Sequence, residues 1–145
     1  MLIGKTYWKG VVLPASLHGI GLMDPTKKEI NTLQIAENST YRTILGARRG
    51  TAIAAIRGEA GASLMKSRFM KAKIMLARSI WRGKNELVKE VLKKIRDRGN
   101  KWNNKLNQYL GEIGISFEQM VEMSVGQIKR KIKNYDSGLW YDDIQ

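Results

Sequence analysis

Residues 63–83, SLMKSRFMKAKIMLARSIWRG, form the stretch that decides the fold of this chain. At 100° per residue, four of its basic side chains fall within an arc about 80° wide. Most of the remaining circumference is apolar and includes Met65, Phe69 and Trp81. This pattern predicts one long amphipathic helix, opened by Ser63 and closed by Gly83, with a buried apolar face. The basic residues of the arc are Arg68, Lys71, Arg78 and Arg82.

The same helix lies inside a block of positive charge. Residues 46–84 contain ten Lys or Arg residues against the single acid Glu59, so they carry +9 of the net charge of +13. A block this concentrated is typical of a surface that binds a polyanion, although an anionic membrane, an acidic protein surface and plain solvation stay open as alternatives. We predict phosphate contacts at Arg48, Arg49, Arg57, Arg68, Lys71, Arg78 and Arg82.

Helix signals occur along most of the chain. Thr26 and Glu29 form a capping box that predicts a helix from Lys27 to Leu45, and Ser116 and Ser124 start the same pattern. Three further helices are predicted, namely Ala52–Arg57 capped by Thr51 and ended by Gly58, Glu86–Arg98 opened by Asn85, and Tyr7–Gly19 kinked or restarted by Pro14.

These signals predict an all-α fold, a compact bundle of about six to eight short helices. The length of 145 residues and the hydrophobic content of 43% suit one ordinary domain. Charge divides the chain into a basic helical region, residues 1–111, and an acidic helical extension, residues 112–145, that packs on it. Because the extension carries a net charge of −2, we expect its basic residues 129–133 to matter less for binding.

Several functional classes have no support in the sequence. The chain has no cysteine and only one histidine, His18, so the usual zinc sites and the Ser-His-Asp triad are not expected. No phosphate-binding loop follows the glycines of residues 58–61. The longest apolar stretch, Val11–Leu17, is too short to cross a membrane. We therefore predict no catalytic residue, no metal, no cofactor and no membrane partner.

Parts of the sequence resemble a known family. Residues 5–19, KTYWKGVVLPASLHG, residues 41–46, YRTILG, and residues 57–61, RGEAG, are similar to the thumb region that follows the palm in reverse transcriptases of non-LTR retrotransposons. The likeness covers about residues 5–85 well and the rest loosely. The chain departs from the family at His18, where Tyr is usual, and at Ala60, where a larger aliphatic residue is common.

The resemblance implies a non-catalytic, nucleic-acid-binding fragment of thumb and connector type. The polymerase chemistry of that family belongs to palm aspartates, and we expect no palm in this chain; Asp142 and Asp143 are expected to be solvated. The implied partners are RNA, an RNA/DNA hybrid or DNA, bound through phosphates, and the palm domain of a reverse transcriptase. The implied location is intracellular, nuclear or cytoplasmic. The alternative is a helical protein-interaction module that binds an acidic partner.

Overall fold

The computed structural model describes the backbone of residues 2–144 and the side chains of residues 3–143. These residues form eight helices, a short 3₁₀ turn at Ile20–Leu22 and no strand. The predicted fold class, an all-α bundle of six to eight helices, is confirmed. The helices are α1 (residues 2–16), α2 (Lys27–Ile44), α3 (Ile53–Ala60), α4 (Met65–Arg82), α5 (Glu86–Arg98), α6 (Lys101–Glu112), α7 (Phe117–Glu122) and α8 (Val125–Ile144).

Helix α1 accommodates Pro14 through a wider helical segment. Its successive parts are α-helical at Leu2–Tyr7, π-helical at Trp8–Val12 and α-helical at Leu13–Ser16. Proline has no backbone N–H, so it interrupts the usual ladder of hydrogen bonds. Just before it, the Leu13 N–H donates to the Trp8 carbonyl, five residues back. The helix expected at Tyr7–Gly19 thus begins earlier, ends at Ser16 and continues through the proline.

Helix α2 begins and ends where its local signals predict. The Thr26 hydroxyl accepts from the Glu29 N–H at 3.3 Å, and the Glu29 carboxylate accepts from the Thr26 N–H at 2.7 Å. The helix ends at Ile44, and Gly46 follows with a φ of 62°, a conformation that favours glycine. The predicted starts at Ser116, Ser124 and Asn85 are confirmed in the same way.

Helix α3 differs from its predicted bounds. It begins at Ile53 without a side-chain cap, so the expected role of Thr51 is wrong, and it passes through Gly58 to end at Ala60. Gly61, with a φ of 58°, makes the left-handed cap. Gly58 instead allows a close approach, because a Cβ at this position would lie 3.3 Å from Cζ2 of Trp140.

The start of helix α4 is capped by side chains from two distant helices, and Ser63 has no part in it. The Leu64 N–H donates to Oδ1 of Asp136 at 2.9 Å, and the Met65 N–H donates to Oε1 of Gln34 at 2.7 Å. The Ser67 hydroxyl also donates to Asp136, at 2.8 Å. These acceptors satisfy N–H groups that have no partner within the first turn of a helix.

Helix α4 lies at the centre of the core. It supplies Met70, Ile74 and Ala77 to the main apolar cluster, and Met65 and Phe69 to a second one beside the 3₁₀ turn. Six of the thirteen buried residues in the main cluster come from residues 113–132. The division of the chain into a basic region and an acidic extension stays a prediction, but the two segments share this core. The remaining buried members are Leu92, Leu106, Tyr109, Leu110, Ile113, Ile115, Phe117, Met120, Ile128 and Ile132.

Helix α8 runs antiparallel to α4. Lys66, near the start of α4, donates to the Tyr135 hydroxyl at the middle of α8 at 2.9 Å. Arg78, near the end of α4, donates to the carbonyl of Met123, just before α8, at 3.0 Å. This pairing brings Arg68 and Lys71 of α4 to the same groove as Lys129 and Lys133 of α8. None of the described helices is both long and apolar enough to cross a membrane.

Candidate functional site

A groove of about 1060 Å³ runs between helices α1, α3, α4 and α8. The groove is lined by basic side chains and by apolar side chains, which form its floor. The cationic set consists of Lys9, Arg57, Arg68, Lys71, Lys129 and Lys133. The floor includes Leu13, Pro14, Leu17, Met75, Ile132 and Trp140. We refer to this site as the cationic groove.

The only acid that lines the cationic groove, among the described residues, is Asp136. Its Oδ1 accepts two hydrogen bonds at the start of α4, from the Leu64 N–H and the Ser67 hydroxyl. The partial positive charge of a helix N-terminus also favours a carboxylate at this position. Asp136 is therefore engaged in capping. Two carboxylates outside the lining, Glu37 and Asp143, pair with Arg68 and Arg57, so the positive balance of the groove comes mainly from its lysines.

Lys9 enters the groove from α1 while it holds the end of α3. Its Nζ donates to the Gly61 carbonyl at 2.9 Å and to the Ala60 carbonyl, and Lys5 makes a similar bond to the Glu59 carbonyl at 3.0 Å. Cations are favourable beside these carbonyls, because the C-terminal end of a helix is partially negative. Burial, followed by the neighbouring charges of Lys5 and Arg68, lowers the pKa of Lys9.

Two arginines of the groove reach into the protein interior. Arg68 forms an ion pair of 2.7 Å with Glu37, whose side chain is 2% exposed. Burial raises the pKa of Glu37, and the charges of Arg68 and Arg57 oppose that rise. The Arg57 side chain is 3% exposed, and its nearest carboxylate contact is with Asp143 at 3.7 Å. The Nε atom of Arg57 has no hydrogen-bond partner among the described residues.

The structure brings together only part of the predicted contact set. Arg57, Arg68 and Lys71 line the cationic groove. Arg78 and Arg82 follow on α4 outside the lining, where Arg78 is held by the Met123 carbonyl and Arg82 is exposed. Arg48 and Arg49 are exposed in the loop between α2 and α3 and do not line the groove, and their backbone carbonyls accept from Arg42.

One member of the basic block points away from solvent. The Lys73 side chain is 1% exposed, and its Nζ pairs with Asp24 at 2.6 Å. It also lies 4.7 Å from the ring centre of Trp102. Burial lowers the pKa of Lys73, and the hydrogen bond to Asp24 opposes this effect. Lys73 therefore fastens the 3₁₀ turn to α4 and adds no charge to the surface.

The structure adds Lys129 and Lys133 of α8 to the site. These residues are four positions apart, so they lie one turn apart on the same face of the helix. From the sequence, residues 129–133 were expected to contribute little to binding, because the acids of the C-terminal region outnumber its basic residues. A shorter window would have found the local run KRKIK, with four basic residues in five.

The aromatic residue in the groove is Trp140, whereas Trp8 packs inside. Trp8 is half-buried between Lys5 and Lys9, and its ring meets the ring of Tyr41 edge-on at 6.3 Å. Trp140 lines the same groove as Arg57 and Lys133, and its indole N–H donates to the Ala54 carbonyl at 3.0 Å. An aromatic ring in a cationic groove is a component of the sites that stack with bases.

Comparison with known proteins places this chain in no family. No family model matches the sequence, and neither a curated protein nor a solved structure was found that matches it. The resemblance to the thumb of non-LTR reverse transcriptases stays a prediction. Within residues 2–144, no group of three or more His, Cys, Asp and Glu side chains could hold a metal ion.

Proposed function

We propose that this protein binds nucleic acid through phosphate groups at the cationic groove. The observation that carries the proposal is the convergence of six basic side chains from four helices on one groove whose single acid is engaged in capping. Lys71, Lys129 and Lys133 are exposed at this site, so a polyanion can reach them without unfolding any helix. Such contacts supply affinity without reading sequence.

The partner that we propose is RNA, an RNA/DNA hybrid or DNA, and the role is non-catalytic. The resemblance to a thumb and connector region supports this assignment, because the thumb of the related polymerases holds the duplex behind the active site. On this reading the protein is a binding fragment that works beside a palm domain.

The salt dependence of binding tests the proposal. With about six phosphates neutralised, the logarithm of the affinity for a labelled RNA should fall against the logarithm of the salt concentration with a slope of about −4 to −5. The combined variant Lys71→Ala, Lys129→Ala and Lys133→Ala should reduce the slope by about 2 to 3, since three phosphate contacts are lost. Fluorescence anisotropy at several salt concentrations measures both values.

A matched control separates the groove from bulk charge. The combined variant Lys28→Ala, Lys94→Ala and Lys101→Ala also removes three exposed lysines, none of which lines the groove. We expect this variant to keep most of the affinity. Equal losses in the two variants would show that binding follows net charge, and a flat salt dependence in the wild type would contradict phosphate binding altogether.

The apolar floor favours one alternative, a helical module that binds an acidic amphipathic protein segment. Leu17, Met75 and Ile132 could receive apolar side chains while the lysines meet carboxylates. Competition distinguishes the two functions. Compared at equal concentrations of negative charge, unlabelled RNA should displace a labelled RNA more effectively than polyglutamate does. If polyglutamate is the more effective competitor, the protein partner is favoured.

A further inference from the structure

The apolar floor of the cationic groove has no role in phosphate binding. Leu13, Pro14, Met75 and Trp140 line the groove together with Lys71 of α4 and with Lys129 and Lys133 of α8. A duplex presents its phosphates outward and keeps its bases stacked inside, so it would leave this floor without a partner. An unpaired strand presents phosphates along one edge and base faces along the other.

A buried charge beside the floor adds a second observation. Arg57 lines the groove with a side chain that is 3% exposed, and its Nε has no hydrogen-bond partner among the described residues. Its carboxylate contact with Asp143 spans 3.7 Å, which is longer than a charge-assisted hydrogen bond. The Arg57 charge is offset in part by Asp143 and by the nearby Glu37, but its buried Nε lacks an acceptor, so an additional acceptor at this residue would be favourable.

We propose that the cationic groove seats an unpaired stretch of nucleic acid, with bases against the apolar floor and phosphates at the lysines. This inference rests on the proposed function and narrows its ligand from nucleic acid in general to a single strand. Trp140 supplies the stacking surface, and Arg57 and Lys133 are cations of the same groove. Lys71 on one wall and Lys129 on the other hold the backbone at the rim.

The size of the groove agrees with such an occupant. Its volume of about 1060 Å³ is slightly above the roughly 300–1,000 Å³ that is usual for small-molecule pockets. The space therefore suits a short run of nucleotides better than a single small ligand. An acidic peptide would match the lysines, but stacking on the Trp140 ring is an interaction that nucleobases supply.

Tryptophan fluorescence tests the stacking directly. We expect decauridylate or decathymidylate to quench the emission of the full chain, and we expect the variant Trp140→Phe to lose most of that quenching. Trp102→Phe is the matched control, because Trp102 also donates its indole N–H to a backbone carbonyl, that of Gly21, at 2.9 Å, and it does not line the groove. This variant should keep the quenching. Loss of the signal in both variants, or in neither, would contradict the assignment.

Affinity for the two forms of nucleic acid supplies the second measurement. Anisotropy at one fixed salt concentration should show the ten-nucleotide strand binding about tenfold more tightly than a ten-base-pair duplex, which corresponds to one favourable base stack. Trp140→Phe should reduce this preference. Equal or tighter duplex binding, with the salt slope retained, would overturn the single-strand inference and leave the proposed function in place.

The remaining outcome concerns the proposed function itself. If neither single strand nor duplex binds while polyglutamate does, both the single-strand inference and nucleic-acid binding are wrong. Circular dichroism of each variant shows whether the helical fold is retained. A variant that loses helicity is replaced by Leu13→Ala, which shortens a half-buried side chain of the same apolar floor.

Discussion

Single side chains decide how much of the positive charge is available to a ligand. Arg57 illustrates this point, because it belongs to the basic block and yet is buried next to the acidic end of the chain. Its partner Asp143 is 59% exposed, so their attraction is screened by water. Asp142, the neighbouring acid, is exposed and forms no ion pair in the part of the chain that the structure describes.

We expect Asp143→Asn to raise the affinity for single-stranded RNA by about two- to fivefold more than Asp142→Asn does. Both variants remove one negative charge, but only Asp143 competes with a phosphate for Arg57. Anisotropy titrations of the two variants at the same salt concentration measure the difference. Identical gains would mean that Asp143 acts through net charge alone.

The helices differ in whether their N-terminal caps come from neighbouring residues in the sequence or from other helices. Helix α2 carries its own capping box at Thr26 and begins where that box predicts. Helix α4 has no side-chain cap at its N-cap residue, Leu64, and it depends on Asp136 and Gln34 from other helices. Local sequence therefore predicts that α4 exists, while its first turn is completed only after the bundle has assembled.

The cap on α4 gives a prediction for stability. Asp136→Ala should lower the free energy of unfolding by about 1–2 kcal/mol, because the Leu64 N–H and the Ser67 hydroxyl lose their acceptor. Asp136→Asn keeps a carbonyl oxygen at the site and should lose less. Urea denaturation followed by circular dichroism measures these values.

Ser63 serves as the control for that experiment. It is the residue that local sequence favours as the start of α4, yet it is exposed and lies outside the observed cap. We expect Ser63→Ala to change the free energy of unfolding by less than about 0.5 kcal/mol. If Ser63→Ala lowers the free energy of unfolding as much as Asp136→Ala does, Ser63 caps α4 and this account is wrong.

At the scale of the whole molecule, one polar cluster joins three helices. Lys66 of α4 pairs with Glu112 of α6 at 2.8 Å, and the Tyr135 hydroxyl of α8 donates to the same carboxylate at 2.8 Å. Burial by itself would raise the pKa of Glu112, but the hydrogen bonds from Lys66, Tyr135 and Gln108 outweigh it and lower the pKa. The ionised carboxylate therefore stabilises the bundle.

This cluster should make stability depend on pH. A carboxyl group with a lowered pKa contributes stability above its unfolded value of about 4.3, and that contribution is lost as the pH falls through the folded value. Glu112→Gln should cost about 1–3 kcal/mol at pH 7 and progressively less below about pH 4. Urea denaturation at several pH values measures the trend, and the exposed Glu122→Gln is the control. A deficit that is constant with pH would contradict this account.

The sequence by itself determined the helical elements and the sign of the surface. Periodicity, capping boxes and glycine stops act within a few residues, so they predicted α2, α4 and α5 with nearly correct ends. The positive balance follows from composition alone. Among the residues of the groove, Arg57, Arg68 and Lys71 were found in this way.

Tertiary structure decided where each charge went. Lys73 belongs to the same basic helix as Lys71, yet it faces inward because the 3₁₀ turn with Asp24 packs against that side. Lys129 and Lys133 joined the groove because α8 lies antiparallel to α4. A helical wheel gives the direction of a side chain around its own axis only. Its surroundings depend on which distant helix packs there, and that choice is made by burial of the shared apolar core.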